Sequence, residues 1–251
     1  MSTSYVHLNV ENKVGYIEFY NPPHNALPAS LLAALTETIE TAANDPSIYV
    51  IVLQSGGDRT FCAGASFEEL VAISNPEQGT AFFEGFANVI NALRNCSKLT
   101  IGRVQGKAVG GGVGLAAATD YCMATTHSDI KLSELTIGIG PFVIEPAVTR
   151  KIGSSAMTQL SLEASTFFSA QWAHDKGLYM KICSSKESLD AEVKQFAEQL
   201  CSYNPEALMQ LKKTIWDGTA HWAELLKKRA AISGRLVLSE FTKTQLKNRS
   251  K

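Results

Sequence analysis

The chain has 251 residues, and its 24 acidic residues nearly balance its 23 lysines and arginines, for a net charge of −1. This length suits one large domain, or one domain with a small appendage, and the balanced charge disfavours a broad nucleic-acid surface. Five cysteines without CxxC spacing predict free thiols in a reducing compartment. Because neither a signal peptide nor a membrane-length apolar run is found, we expect a cytoplasmic protein that binds neither nucleic acid nor membrane.

The first half of the chain has the pattern of alternating strands and helices. Residues 5–10 and 14–20 alternate in strand fashion and predict a hairpin, and residues 28–43 have apolar side chains at helical spacing. Continuous apolar runs predict three strands that are buried on both faces, at residues 49–53, 99–104 and 121–124. With a long helix near residues 79–95, this order is typical of βα units that wind a parallel sheet.

The end of the chain has a helical pattern. After about residue 186, the spacing of apolar residues predicts helices at residues 188–202, 205–216 and 220–246. The last helix carries an apolar face that something must cover; a neighbouring subunit is the first expectation and the protein's own core is the alternative. We therefore divide the chain into a core, residues 1–185, and a C-terminal helical region, residues 186–251.

A glycine-dense turn at residues 106–116 leads into a helix of small residues and is followed by Glu134. Backbone amides at a helix start are unpaired, the helix dipole adds partial positive charge, and glycine allows close approach. Such a turn can form an oxyanion hole with a carboxylate nearby. It can equally be a tight strand-to-helix turn that binds nothing, and the glycines alone do not decide between the two.

A second glycine segment, residues 61–66, follows the buried strand at residues 49–53 and precedes a helix. Successive strand-to-helix turns lie at the same edge of a parallel sheet, where open α/β proteins bind ligands. The amides of the two glycine segments can therefore converge on one oxygen. Alone, the second segment would be interpreted as an ordinary turn of small residues.

With these motifs the chain resembles the crotonase family, also called the enoyl-CoA hydratase/isomerase superfamily. The resemblance covers essentially the whole chain and depends on the order and spacing of four short elements. These are Asn25-Ala26-Leu27, residues 61–65, residues 106–115 followed by Asp120, and residues 173–178. The resemblance implies an α/β fold in which a spiral core of ββα turns precedes a C-terminal helical trimerisation region, and it implies a homotrimer or hexamer.

The resemblance also implies a chemistry. An acyl-CoA thioester would place its carbonyl oxygen between the backbone amides of Ala65 and Gly111, where an enolate forms. Coenzyme A would enter as part of the substrate, with no tightly bound cofactor and no metal. The other residues expected at the substrate site are Asn25, Ala26, Leu27, Ala63, Gly64, Gly110, Gly114, Pro141 and Phe142.

Glu134 is the expected catalytic acid/base. Family hydratases generally carry two glutamates, and here the first of those positions is Gly114, so only Glu134 remains. Its apolar neighbours suggest a partly buried carboxyl with a raised pKa, although a surface glutamate at a strand end is the ordinary alternative. Glu145 is a possible helper, or an acid that only favours a helix start.

Four functions stay open at this stage. The whole-chain resemblance favours hydration of a 2-enoyl-CoA, with a branched, methylglutaconyl-like substrate as one option. The single glutamate favours a Δ3-Δ2 enoyl-CoA isomerase, because one base can take a proton from C2 and return it to C4. An acyl decarboxylase and a non-catalytic acyl-CoA binder are less favoured alternatives.

Overall fold

The computed structural model describes residues 3–249, which form nine strands, ten helices and a 3₁₀ turn. The strands are β1 (Tyr5–Glu11), β2 (Val14–Tyr20), β3 (Val50–Ser55), β4 (Thr60–Cys62), β5 (Leu99–Val104), β6 (Lys107–Val109), β7 (Tyr121–Thr125), β8 (Ile130–Lys131) and β9 (Lys181–Cys183). The helices are α1 (Ala29–Asn44), α2 (Phe67–Ala72), α3 (Pro76–Asn95), α4 (Gly111–Ala118), α5 (Glu145–Leu162), α6 (Ala170–Asp175), α7 (Lys186–Cys201), α8 (Pro205–Ile215), α9 (Trp222–Leu236) and α10 (Glu240–Arg249). The 3₁₀ turn spans Glu134–Ile137.

The larger sheet has six strands in the order β1-β2-β3-β5-β7-β9. β1 and β2 form the predicted antiparallel hairpin, and the remaining neighbours pair in parallel. The three runs predicted as doubly buried strands are β3, β5 and β7, which lie side by side in this sheet between helices on both faces. The predicted α/β architecture is therefore confirmed.

A second, smaller sheet has the order β4-β6-β8 and was not expected from the sequence. Its strands have three, three and two residues, which is too short for an alternating pattern to emerge. All three strands pair in parallel, so their carboxyl ends lie at one edge. The segments that leave this edge are residues 63–65, the glycine turn at 110–112 and the segment that leads to Glu134, so the small sheet positions the candidate site.

The C-terminal helices fold back onto the core of their own chain. The segment predicted as one helix over residues 220–246 is two helices, α9 and α10, joined through Val237 to Ser239. α9 lies so close to α3 that a Cβ on Gly79 would be 2.5 Å from the carbonyl oxygen of Gly234. Much of the apolar face that needed a cover is thus buried by the protein's own core, although Phe241 is 59% exposed.

Asp120, which follows the glycine motif, has a structural role in this fold. Its Oδ2 lies 2.9 Å from the Lys212 Nζ on α8, and both side chains are buried. Its Oδ1 accepts a hydrogen bond from the Trp216 indole, at the end of the same helix. Breaking a buried pair of this kind typically costs several kcal/mol, so Asp120 fixes α8 on the core. No helix within residues 3–249 has both the length and the apolar character that crossing a membrane requires.

Candidate active site

A cavity of about 370 Å³ opens at the carboxyl edge of the small sheet. Its wall is mainly apolar, and the large side chains in it are Phe67, Leu70, Phe83, Phe86, Ile137, Ile139, Phe142, Val143 and Ile144. His24, Glu134 and Arg249 are the titratable side chains in this wall among residues 3–249. A concave apolar wall with a few convergent polar groups is the usual form of a small-molecule site.

In the two glycine segments of the cavity wall, the backbone N–H groups of Ala65 and Gly111 lack an acceptor within residues 3–249. Leu27 donates to the Gly64 carbonyl at 2.8 Å and Ser66 donates to the Leu27 carbonyl at 3.0 Å. The amide of Ala65, between these two bonds, has no acceptor within residues 3–249, and neither does the amide of Gly111 at the start of α4. Both amides are therefore available to a ligand oxygen.

The backbone conformation at these turns requires glycine. Gly64 has φ +89°, and Gly110, which caps α4, has φ +53° and ψ −119°, values that side chains rarely adopt. A Cβ on Gly64 would lie 3.6 Å from the Gly111 nitrogen, so the two glycine segments are in contact. The structure thus brings together the two glycine segments whose amides, at Ala65 and Gly111, the family resemblance assigned to an oxyanion hole.

Glu134 begins the 3₁₀ turn, and its carboxyl group lies against the Gly110 backbone. A Cβ on Gly110 would be 3.0 Å from Glu134 Oε1. The residue is half-buried in the cavity wall, and its Oε2 is fully buried without a hydrogen-bond partner in the described part of the chain. This burial raises the carboxyl pKa from 4.5 to about 7, against the lowering effect of a backbone hydrogen bond.

A buried carboxyl oxygen without a partner is unusual and costs free energy. Perturbed carboxyl groups of this kind are typical of functional sites, because a pKa near the working pH suits a general acid or base. The surface-glutamate alternative therefore does not describe Glu134. In this arrangement, Glu134 can transfer a proton to or from a bound ligand. The amides of Ala65 and Gly111 can stabilise negative charge on a ligand oxygen nearby.

The turn that carries Glu134 is supported by α10 of the same chain. Gly138, with φ +82°, ends the turn, and a Cβ there would be 2.5 Å from Phe241 and 2.7 Å from Thr242 Oγ1. The Arg249 Nη2 donates to Thr136 Oγ1 at 2.7 Å. The position of the candidate base therefore depends on the C-terminal helices as well as on β8.

Nine of the residues expected at the site lie in the cavity wall. They are Ala26, Ala63, Gly64, Ala65, Gly110, Gly111, Glu134, Pro141 and Phe142. Four others do not lie there: Asn25, Leu27, Gly114 and Glu145.

Asn25 and Leu27 act behind the cavity wall. The Asn25 side-chain amide donates to the Gly56 and Thr60 carbonyls at 2.8 and 2.9 Å, so it holds its loop to the segment that leads into β4 and to the first residue of that strand. Leu27 is fully buried and bridges Ala65 through its backbone. Both residues position the first glycine segment, and neither faces the cavity.

Gly114 lies beneath Ile144, which fills the space that a side chain would need. A Cβ on Gly114 would be 2.3 Å from Ile144 Cγ2 and 2.7 Å from Ile144 Cβ. At the position where family hydratases carry their first glutamate, this chain therefore has Gly114, and the Ile144 side chain occupies the adjacent space.

We expect Gly114→Ala to destabilise the protein by about 1–3 kcal/mol, because the added methyl overpacks this contact. Urea unfolding would measure the change. Ile144→Ala is the matched second variant. The double variant should lose less unfolding free energy than the sum of the losses of the two single variants. Additive costs would contradict the contact.

Glu145 begins α5, as the sequence suggested, but points away from the cavity. Its Oε1 accepts from the Thr149 hydroxyl at 2.7 Å and its Oε2 lies 3.2 Å from the Arg229 Nη2. Glu145 therefore does not fit the role of a catalytic helper. It is an acidic residue at a helix start that pairs with Arg229 on α9.

Glu145→Gln is expected to change turnover less than about twofold, since Glu145 lies outside the cavity wall and its partly exposed ion pair contributes little. Steady-state assays of this variant against the parent protein would check this. A loss of tenfold or more would return Glu145 to the catalytic machinery.

Several wall residues were not identified from the sequence. Phe83 and Phe86 lie on α3, and Ser233 and Arg249 come from α9 and α10. The helical periodicity shows that α3 has an apolar face, but nothing local shows that this face borders a ligand. Contacts between segments so far apart in the chain cannot be predicted from one sequence.

Comparisons with known proteins agree with this geometry. The family model described as enoyl-CoA hydratase/isomerase matches residues 9–248. The mitochondrial enoyl-CoA hydratase of Pongo abelii is 30% identical over 232 residues, which is 92% of this chain and 77% of that protein. The peroxisomal Delta(3,5)-Delta(2,4)-dienoyl-CoA isomerase of Arabidopsis thaliana is 28% identical over 223 residues, 82% of this chain and 78% of that protein.

A solved structure shares the whole fold. The enoyl-CoA hydratase from Bacillus halodurans matches with a TM-score of 0.90 at 25% identity, covering 98% of this chain and 100% of that chain. The predicted ββα core and C-terminal helical region are confirmed by this match.

Proposed function

Because the chain belongs to the enoyl-CoA hydratase/isomerase family, we propose that it hydrates a 2-enoyl-CoA to a 3-hydroxyacyl-CoA. The observation that carries this proposal is the buried Glu134 carboxyl, with an unpartnered Oε2 and a pKa of about 7, in a cavity that also exposes two free amides. Enzymes of this family act on coenzyme A thioesters, and a relative of this chain is named as a hydratase.

In the proposed mechanism, the amides of Ala65 and Gly111 bind the thioester oxygen. The Glu134 carboxylate accepts a proton from water as the water oxygen bonds to C3 and the double-bond electrons move toward the thioester oxygen. The enolate then collapses, and Glu134 returns the proton to C2. One carboxyl group completes both proton transfers, so a second glutamate is not required for the proton balance.

The second candidate is a Δ3-Δ2 enoyl-CoA isomerase, which one specific observation favours. Ile144 closes the position of the other family glutamate, and Glu134 is the one carboxyl in the cavity wall within residues 3–249. An isomerase takes a proton from C2, forms a dienolate at the same two amides and returns the proton to C4. It has no need to hold a water molecule.

Incubation in deuterated water separates the two reactions. Purified protein would be supplied with crotonyl-CoA, 3-hexenoyl-CoA and a branched, methylglutaconyl-type enoyl-CoA, and the products would be followed by mass spectrometry. Addition of D₂O to the 2-enoyl substrates supports the hydratase. Double-bond migration without addition of water makes the protein an isomerase, and no turnover of any substrate contradicts both.

The family resemblance also supports a homotrimer or hexamer. Exposed apolar side chains on α8, Leu211 at 50% and Ile215 at 38%, are candidates for the contact. Multi-angle light scattering of the purified protein would test the assembly, and a monomer at micromolar concentration would contradict it.

A further inference from the structure

We propose that Arg249 binds a carboxylate on the acyl group, so that the preferred substrate is an enoyl-CoA whose acyl chain carries a second acid function. This inference rests on the proposed function of the cavity and names the class of its substrate.

Arg249 is placed to meet a ligand. It lies in the cavity wall near the end of α10, and it is the one lysine or arginine in that wall within the described range, 3–249. It forms no ion pair with a carboxylate of those residues. The residue is exposed at the opening of the cavity, so an anion of the ligand can reach its guanidinium there.

One nitrogen of the guanidinium is tethered to Thr136 in the 3₁₀ turn. Its Nη2 donates to Thr136 Oγ1 at 2.7 Å and to the Thr136 carbonyl at 3.4 Å. Nε and Nη1 have no acceptor within residues 3–249, so they can donate to a ligand. Guanidinium groups are weakly hydrated, and charge-assisted hydrogen bonds to carboxylate are among the stronger ones in proteins.

The position of the anchor favours the acyl group over the phosphates of coenzyme A. Thr136 lies two residues after Glu134 in the same 3₁₀ turn, so Arg249 is tied to the part of the site where the reacting carbons lie. The phosphates are separated from the thioester by the whole pantetheine arm. The neighbouring wall residues Ile137 and Ile139 are apolar, as contacts to a short acyl chain would be.

The first test measures binding without turnover. Calorimetry would compare glutaryl-CoA with butyryl-CoA, two saturated thioesters that differ in a terminal carboxylate. We expect glutaryl-CoA to bind more tightly to the parent protein, and Arg249→Gln to reduce that preference by about 10- to 100-fold. Arg249→Lys should retain part of the preference, and Lys247→Gln on the same helix is the matched control for loss of a positive charge.

The second test separates the two possible sources of the anion. The same acyl groups would be supplied as pantetheine thioesters, which carry no phosphate. A preference for the carboxylated acyl group that depends on Arg249 in both series supports the proposal. If Arg249→Gln weakens both CoA thioesters equally and leaves the pantetheine thioesters unaffected, Arg249 binds phosphate and the proposal is wrong.

A purely structural role for Arg249 has its own signature. Thr136→Val removes the shorter of the two hydrogen bonds but keeps the charge, so it should loosen binding without abolishing the preference for the carboxylate. If Arg249→Gln and Thr136→Val weaken all four thioesters equally, Arg249 only positions the turn and the proposal is overturned. Because these tests measure binding, they stand even if the assays in deuterated water show no hydration.

Discussion

Glu134→Gln is expected to lower turnover by about 10²- to 10⁴-fold, the usual contribution of a positioned acid/base group. The amide keeps the size of the side chain but cannot accept and return a proton. Binding of a saturated acyl-CoA should persist, because the two oxyanion amides and the apolar wall are unchanged. Turnover assays and calorimetry on the same preparation would measure both quantities.

Glu145→Gln is the matched control for this substitution, since it removes a carboxylate from a residue outside the cavity wall. Turnover of Glu134→Gln within a few fold of the parent protein would remove Glu134 as the base. Loss of both turnover and binding would instead indicate a collapsed site.

The pKa of Glu134 also predicts how activity and stability depend on pH. Both proposed reactions begin with the carboxylate, so kcat/KM should rise with pH and level off above about 7. The folded pKa of about 7 lies above the ordinary value of 4.5, so the folded state binds the extra proton between these two pH values. Stability should therefore fall as pH rises from about 4.5 to about 7 and level off above that, by up to about 3 kcal/mol at 1.36 kcal/mol per pK unit.

Urea unfolding of the parent protein and of Glu134→Gln at pH 5 and pH 8 would isolate this contribution. The variant should gain stability relative to the parent at pH 8, where the parent holds a buried charge. An equal difference at both pH values would mean that the carboxyl is well solvated.

Gly111→Ala is expected to lower turnover by about 10²- to 10³-fold, the typical effect of losing one oxyanion-hole donor. A methyl at this position would lie 2.2 Å from a ring carbon of Phe86, so either the ring or the start of α4 must move. Movement of the helix start displaces the Gly111 amide from the ligand oxygen. Turnover and acyl-CoA affinity, measured together, would show whether the loss is confined to the reaction.

The double variant Gly111→Ala/Phe86→Ala tests this explanation, because it removes the ring that the methyl meets. We expect it to recover part of the turnover that Gly111→Ala loses. Phe86→Ala alone is the control for the enlarged cavity. Turnover of Gly111→Ala equal to that of the parent would show that this amide does not stabilise the transition state.

The features that the sequence predicts are those that depend on local pattern. Continuous apolar runs identified β3, β5 and β7, and clustered glycines identified both turns because only glycine allows the backbone at Gly64 and Gly110. Glu134 could be proposed because the segment around it resembles a family motif. The structure adds the burial of its carboxyl, which depends on residues far away in the chain.

The features that escaped prediction depend on long-range packing. The strands of the small sheet are held by their pairing and not by their own propensity. Ile144 fills the place beside Gly114, and nothing in either residue alone indicates the other. Likewise, the apolar face of α9 is visible in the sequence, but its cover is not, because the choice between core and neighbour depends on the turn at Val237 to Ser239.

The contact between α10 and the Glu134 turn has a practical consequence for handling the protein. A purification tag fused close behind α10 would lie near Arg249, which is in the cavity wall. Charged tags such as polyhistidine could then compete for the same opening and alter apparent substrate affinity. An N-terminal tag, attached ahead of β1 at the edge of the larger sheet, avoids this interference.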